Sequence, residues 1–275
     1  MSPSRLRFGV GERGIPVAVF PDVEALGEAL AREILEEVER AREQRRSYLL
    51  GCPAGRSLRS TYVALADLAA ARRADLSQFV AVTMDEYLVP TPGGPELCPA
   101  DAHYSCRGFG HREILGRLNR DLPPDRRIRQ ENLWFPEPDQ PAAYEARLEA
   151  AGGVDRFLVA TGASDGHVAF NPVGTPLATH TRIVELSAAT RSDNLETFPE
   201  FGSLDEVPTL GVSVGLGTVV EQSRRVTLVM TGVEKRAAVS RLRRCTDFTP
   251  DWPASLIYRC QNPTILVDRF ANPAA

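Results

Sequence analysis

The segment Phe157-Leu158-Val159-Ala160-Thr161-Gly162-Ala163-Ser164-Asp165-Gly166-His167-Val168-Ala169-Phe170-Asn171 runs from an apolar pattern into a glycine-punctuated turn carrying an aspartate and a histidine. The apolar run predicts a buried strand that ends near Gly162. Ligands in open α/β sheets bind at the carboxyl ends of the strands. An imidazole with a carboxylate beside it suits proton transfer near neutral pH. An Asp-Gly-His tripeptide also serves as a plain tight turn, with the aspartate capping the backbone, so its meaning depends on the rest of the chain.

Phe79-Val80-Ala81-Val82-Thr83-Met84-Asp85-Glu86-Tyr87 is a second β-rich run that ends in titratable groups. Neighbouring side chains on a strand point to opposite faces. Only one of Asp85 and Glu86 can therefore face a given cleft, and the other faces the covering layer or holds a backbone amide. Upstream, 16–20 reads as a strand, and Asp22 caps a helix whose apolar face is Val23, Leu26, Leu30, Ile34, Leu35 and Val38. Tyr48-Leu49-Leu50 is a strand closed by Gly51-Cys52-Pro53-Ala54-Gly55, and a helix follows over 57–71. The alternation predicts an α/β fold: an open, mostly parallel, Rossmann-like sheet with helices on both faces.

Further along, 90–99 reads as a Pro/Gly-rich loop, 102–118 and 139–151 as helices, and 182–186 as a strand. Residues 192–208, with Phe198 and Phe201, read as an extended loop or lid. A strand at 210–214 enters a glycine turn and a short helix. Strands at 226–230 and 264–267 flank a helix opened by Lys235 and a short helix at 254–260. No repeat or linker interrupts the pattern, so 1–275 is expected to form a single domain.

The chain has 275 residues, 43% hydrophobic and 25% charged, with a net charge of −4. That composition supports a large soluble core and argues against general nucleic-acid binding. The five cysteines form no Cys-x-x-Cys pair and the four histidines no helical ligand pair, so no metal site is expected. No apolar stretch is long enough for a bilayer or a leader peptide, which makes a reducing cytoplasm the expected compartment. Whether copies of the chain form a homo-oligomer stays open.

Two strands end in glycine turns before helices, Gly51 to Gly55 and Thr231-Gly232, with Arg56, Ser57 and Lys235 just beyond them. Helix N-termini suit phosphate oxygens, but such glycines also simply permit tight turns. Neither turn is a Walker loop or a dinucleotide fingerprint.

From about residue 50 to 268 the chain resembles the glucosamine-6-phosphate deaminase and isomerase family, whose relatives include the 6-phosphogluconolactonases. The resemblance rests on Gly51-Cys52-Pro53-Ala54-Gly55, Thr61-Tyr62-Val63-Ala64-Leu65, Met84-Asp85-Glu86-Tyr87, Asp165-Gly166-His167-Val168-Ala169-Phe170-Asn171, Thr181-Arg182-Ile183, Gly215-Leu216-Gly217-Thr218 and Lys235. It implies a hydrolase-class enzyme of amino-sugar metabolism. Such an enzyme converts an amino-sugar phosphate to a ketose phosphate and releases ammonia, without a metal or redox cofactor. In that scheme Asp85 shuttles a proton between C1 and C2, His167 assists ring opening and Asp165 orients it. The phosphate and sugar are expected at Gly51, Ala54, Gly55, Arg56, Ser57, Glu86 and Lys235. Two departures stand out. The family's glutamate after Phe-Asn is Pro172 here, and no arginine occurs between Arg191 and Arg224, where the family places a phosphate-binding lid arginine. Three other readings stay open: a lactone hydrolase, a plain sugar-phosphate isomerase, and a non-enzymatic sugar-phosphate sensor.

Overall fold

Asp22 caps the first helix as expected: its carboxylate accepts the Ala25 amide at 2.8 Å, and α1 runs Val23–Glu43. The computed structural model describes residues 4–8 and 14–272. Leu26, Leu30, Ile34, Leu35 and Val38 of α1 are buried, one stripe at helical spacing.

The strands are β1 Ser4–Phe8, β2 Ile15–Phe20, β3 Tyr48–Cys52, β4 Phe79–Thr83, β5 Asp85–Thr91, β6 Gly94–Leu97, β7 Leu133–Trp134, β8 Arg156–Val159, β9 Arg182–Glu185, β10 Leu210–Ser213, β11 Val226–Met230 and β12 Thr264–Asp268. The further helices are α2 Arg59–Arg72, α3 Cys106–Phe109, α4 Arg117–Asn119, α5 Pro141–Ala150, α6 Ala188–Thr197, α7 Leu216–Glu221 and α8 Arg236–Arg244. The predicted helix at 102–118 is interrupted, with a π-helical turn over Gly110–Gly116 joining α3 to α4.

Eight strands form one sheet in the order β1-β2-β12-β11-β8-β3-β4-β7. Only the β1–β2 pair is antiparallel; every other neighbouring pair is parallel. Leu49, Val80, Val82, Phe157 and Val159 pack on one face with α5, α7 and α8. Their neighbours Tyr48, Leu50, Phe79, Ala81 and Leu158 pack on the other with α1 and α2. These near-continuous apolar runs are the signature of a parallel sheet covered on both sides. Strand order reverses direction between β3 and β8, so a crevice opens at their carboxyl ends.

A second, antiparallel sheet, β6-β5-β10-β9, differs from expectation. Residues 90–99 are the tip and return strand of a β5–β6 hairpin rather than an open loop. β4 passes into β5 across Met84 alone, and Asp85 already pairs with Ser213 of the second sheet.

A buried charge anchors α1 to the large sheet. Arg156, 1% exposed, donates to Glu37 at 2.6 and 3.0 Å, to Glu33 at 3.0 Å and to Thr227 Oγ1 at 3.1 Å. Tyr48 donates to the same Glu37 at 2.6 Å. Burial pushes the Glu37 carboxyl up, but Arg156 outweighs it and holds the group below its ordinary 4.5. That contribution to stability is therefore present above pH 4.5 and is lost as pH falls through the lowered folded value. Arg156→Ala is expected to cost about 3–5 kcal/mol in urea unfolding at pH 7, because it leaves the largely buried Glu37 carboxylate without its main partner beside the sheet. A loss below about 1 kcal/mol would show that water replaces the guanidinium.

Candidate active site

Four strand ends of the large sheet converge on one cavity of about 250 Å³. β3 contributes the turn Pro53-Ala54-Gly55-Arg56-Ser57, and Tyr62 fixes that turn by donating its hydroxyl to the Pro53 carbonyl at 2.9 Å. β4 delivers Asp85. β8 leads through Thr161 and Gly162 to His167. β11 leads through Thr231 to Lys235, whose Nζ donates to the Thr161 carbonyl at 2.8 Å. Asp85 and His167, 82 positions apart in the chain, share the same cavity wall with Arg56 and Lys235.

His167 is held from behind. Its Nδ1 lies 2.7 Å from Asp165 Oδ1, and its amide donates to the same oxygen at 3.1 Å. The carboxylate can only accept, so the neutral ring carries its proton on Nδ1 and presents Nε2 to a substrate. Burial pushes the Asp165 carboxyl up, but the His167 hydrogen bond and charge reverse the shift and hold it below the ordinary 3.8. Asp165 thus orients the imidazole rather than facing the cavity. The local backbone requires glycine at two places. A Cβ on Gly162 would stand 2.3 Å from His167 Nδ1 and 2.4 Å from Asp165 Oδ1. Gly166 has φ +73°, with the Trp252 ring 2.4 Å from where a Cβ would be.

Asp85 and Glu86 part company as the strand alternation requires. Asp85 faces the cavity; its burial pushes the carboxyl up to about 7, opposed by a hydrogen bond from the Cys106 thiol. Glu86 points away. It accepts from the amides of Tyr87 at 2.8, Cys106 at 2.9 and Arg107 at 2.7 Å, and from the Ser105 hydroxyl at 2.8 Å. The expectation that Glu86 binds substrate is therefore corrected: both its carboxylate oxygens are engaged by its own strand, the Cys98 thiol and the start of α3, and it does not line the cavity. Gly51 is also corrected. It lies inside β3, not at the cavity, and a Cβ there would meet the Phe157 ring at 2.3 Å. Ala54, Gly55, Arg56, Ser57 and Lys235 do line the cavity. Burial lowers the Lys235 ammonium from its ordinary 10.5, with Asp193 the leading charge opposing that shift.

No protein-family model matches the chain. The glucosamine-6-phosphate deaminase of Mycolicibacterium smegmatis is 32% identical over 255 residues, covering 93% of this chain and 90% of the relative. That of Pseudarthrobacter chlorophenolicus is 34% identical over 89% of this chain and 87% of its own. The chain belongs to the glucosamine-6-phosphate deaminase family. Among solved structures, a monomeric glucosamine-6-phosphate deaminase superposes with a TM-score of 0.77 at 24% identity over 93% of this chain and 98% of its own. The 6-phosphogluconolactonase of Trypanosoma cruzi does so with 0.66 at 15% identity over 97% of each chain. At such identities the superpositions speak for the fold. Membership agrees with the sequence resemblance, and the superpositions agree with the open, mostly parallel sheet expected from the strand–helix alternation.

The segment expected as an extended lid is partly helical. Its first part is α6, which lays Thr190, Asp193, Asn194, Glu196 and Thr197 along the cavity before Phe198 closes its end. A signal for this helix was present: Ser187 caps it, accepting the Thr190 amide at 3.1 Å, ahead of two alanines. Among the described residues, Asp165, His167 and Asp193 are the one group of His, Cys, Asp and Glu side chains close enough to share an ion.

Ionised Asp85 opposes folding, because the folded protein keeps its proton up to about pH 7 and the unfolded chain loses it near 3.8. Asp85→Asn is expected to raise stability by about 1–3 kcal/mol at pH 8, with the gain fading as pH falls to 4. Urea unfolding across that range measures it, and a variant no more stable than its parent at pH 8 contradicts the raised value.

Proposed function

We propose that this protein is a glucosamine-6-phosphate deaminase and isomerase that converts the amino-sugar phosphate and water to fructose 6-phosphate and ammonia. The single observation that carries this reading is the shared cavity of Asp85, His167, Arg56 and Lys235, in a chain whose curated relatives carry that name. The cations would take the phosphate, aided by the amides of the turn at Gly55 and Ser57. His167, held by Asp165, would pass the anomeric hydroxyl proton to the ring oxygen and open the ring.

The ionised Asp85 carboxylate would then remove the proton from C2. The C2–H electron pair becomes the C1–C2 double bond, and the C1 oxygen takes a proton from His167, which, neutral after ring opening, has first drawn one from solvent; the water that later adds at C2 gives that proton back. Asp85 returns its proton to C1 as the enamine nitrogen pushes electrons back, which leaves a C2 iminium. Water adds there and ammonia departs. The net reaction consumes one water, a hydrolytic deamination. Burial supports the part given to Asp85, since a carboxyl near neutral acidity is a far better base toward carbon than an ordinary one. The reading takes the described fold as one working domain in a reducing compartment, in keeping with five free thiols. No helix among the described residues is long and apolar enough to cross a membrane.

Purified protein given glucosamine 6-phosphate is expected to release ammonia and fructose 6-phosphate in equal amounts. Acid from 6-phosphogluconolactone without ammonia from the amino sugar would reverse the reading toward a lactone hydrolase. In the active enzyme kcat/KM should rise with pH along a limb centred near 7, where Asp85 loses its proton, and Asp85→Asn should abolish turnover. Arg56→Ala should raise KM about 10-fold while kcat changes far less, in line with losing one charge-assisted contact to phosphate. An unchanged KM would remove Arg56 from the phosphate site.

A further inference from the structure

We propose that Asp193 is a positioning residue for His167, a second carboxylate that α6 brings to the imidazole from across the cavity. This rests on the reading of His167 as proton carrier, but not on which sugar is used. Donor atoms of Asp165, His167 and Asp193 all lie within 4.8 Å of one another. Asp193 is half-buried and lines the cavity, and its Oδ2 accepts the Ala163 amide at 3.3 Å, so α6 is tied to the turn that carries His167. The cap of the same helix reaches the same dyad: Ser187 Oγ donates to Asp165 Oδ2 at 3.5 Å. The cap of α6 therefore reaches Asp165, and Asp193 of the helix itself lies within 4.8 Å of both members of the pair.

Two further carboxylates near this part of the fold do not take this position. Glu86 is engaged with the start of α3, and Glu185 is exposed on β9, outside the cavity lining. The charged groups around His167 are Asp165 from its own turn, Asp85 from β5, Asp193 from α6, and Lys235 beyond the end of β11 with Arg56 near it. Asp193 also lies close enough to Lys235 for the two charges to attract. An anion at this range favours the imidazolium that ring opening creates when the ring takes the hydroxyl proton. Asp165 sets the direction of the ring, and Asp193 stabilises its charged state.

The test is the titration of His167 in ligand-free protein, followed by long-range ¹⁵N–¹H correlation with the imidazoles labelled. The chain has four histidines, and His167→Gln assigns the signal. Asp193→Asn is expected to lower the His167 midpoint by about 0.5–1 pH unit, and Asp193→Glu to restore most of it. Asp193→Ser serves the same purpose should the asparagine disturb α6. In turnover, the asparagine variant should lose about 10-fold in kcat with little change in KM. A midpoint within about 0.1 unit of the parent in a folded variant overturns the proposal. If the parent releases no ammonia from any amino-sugar phosphate, the proposed function fails, while the titration still reads the coupling between Asp193 and His167.

Discussion

A fully buried carboxylate, Glu86, sets the geometry on which the cavity depends. It accepts three backbone amides and one hydroxyl at 2.7 to 2.9 Å and so joins the first residues of β5 to the start of α3. Charge-assisted bonds to amides are among the stronger ones a protein makes, and leaving such donors unpaired in the interior is costly. With Glu86 fixed outward, strand alternation turns Asp85 inward. The same joint passes the chain from the parallel sheet to the antiparallel one across Met84, whose carbonyl accepts the Val214 amide at 2.8 Å. One local constraint therefore seats the second sheet and aims the Asp85 carboxyl into the cavity.

The stability gained at Glu86 is partly opposed one residue away. Asp85 is 7% exposed, and burial raises its carboxyl to about 7. A group held against its preferred ionisation destabilises the fold, and functional sites are where that cost is commonly found. The Asp165–His167 pair is built on the opposite plan. Its carboxylate is stabilised by the ring it orients, and glycine at 162 lets both side chains lie against the backbone. The carboxyl that lines the cavity and the one behind its histidine are thus pushed in opposite directions.

The parallel sheet was legible in the sequence because its strands are continuous apolar runs that end in glycine turns and alternate with helices of clear period. β2, β3, β4, β8, β11 and β12 all fall where those patterns put them. The β5–β6 hairpin was not legible, because Pro90, Pro92, Gly93 and Gly94 disguise an edge strand as a loop. α6 was hidden for a related reason: it is short and polar, and its inner face meets a cavity rather than a core, so it lacks an apolar stripe. Gly51 was read as part of a phosphate turn when it is a close approach between β3 and Phe157. That contact depends on a strand 106 residues away in the chain, which local pattern cannot reveal.

By itself, the sequence determined the parallel α/β architecture, the family resemblance, and the carriage of Asp85 and the Asp165–His167 pair to strand ends. Periodicity and turn chemistry are local, and a strand end in such a sheet has only one place to lead. Which of two adjacent carboxylates lines the cavity, and which helix covers it, were decided by tertiary structure. Both depend on what packs against the opposite face: the start of α3 claims Glu86, and the dyad and Lys235 gather Asp193. Those are electrostatic and hydrogen-bonding choices made between segments far apart in the chain, and they come into being only once the chain has closed on itself.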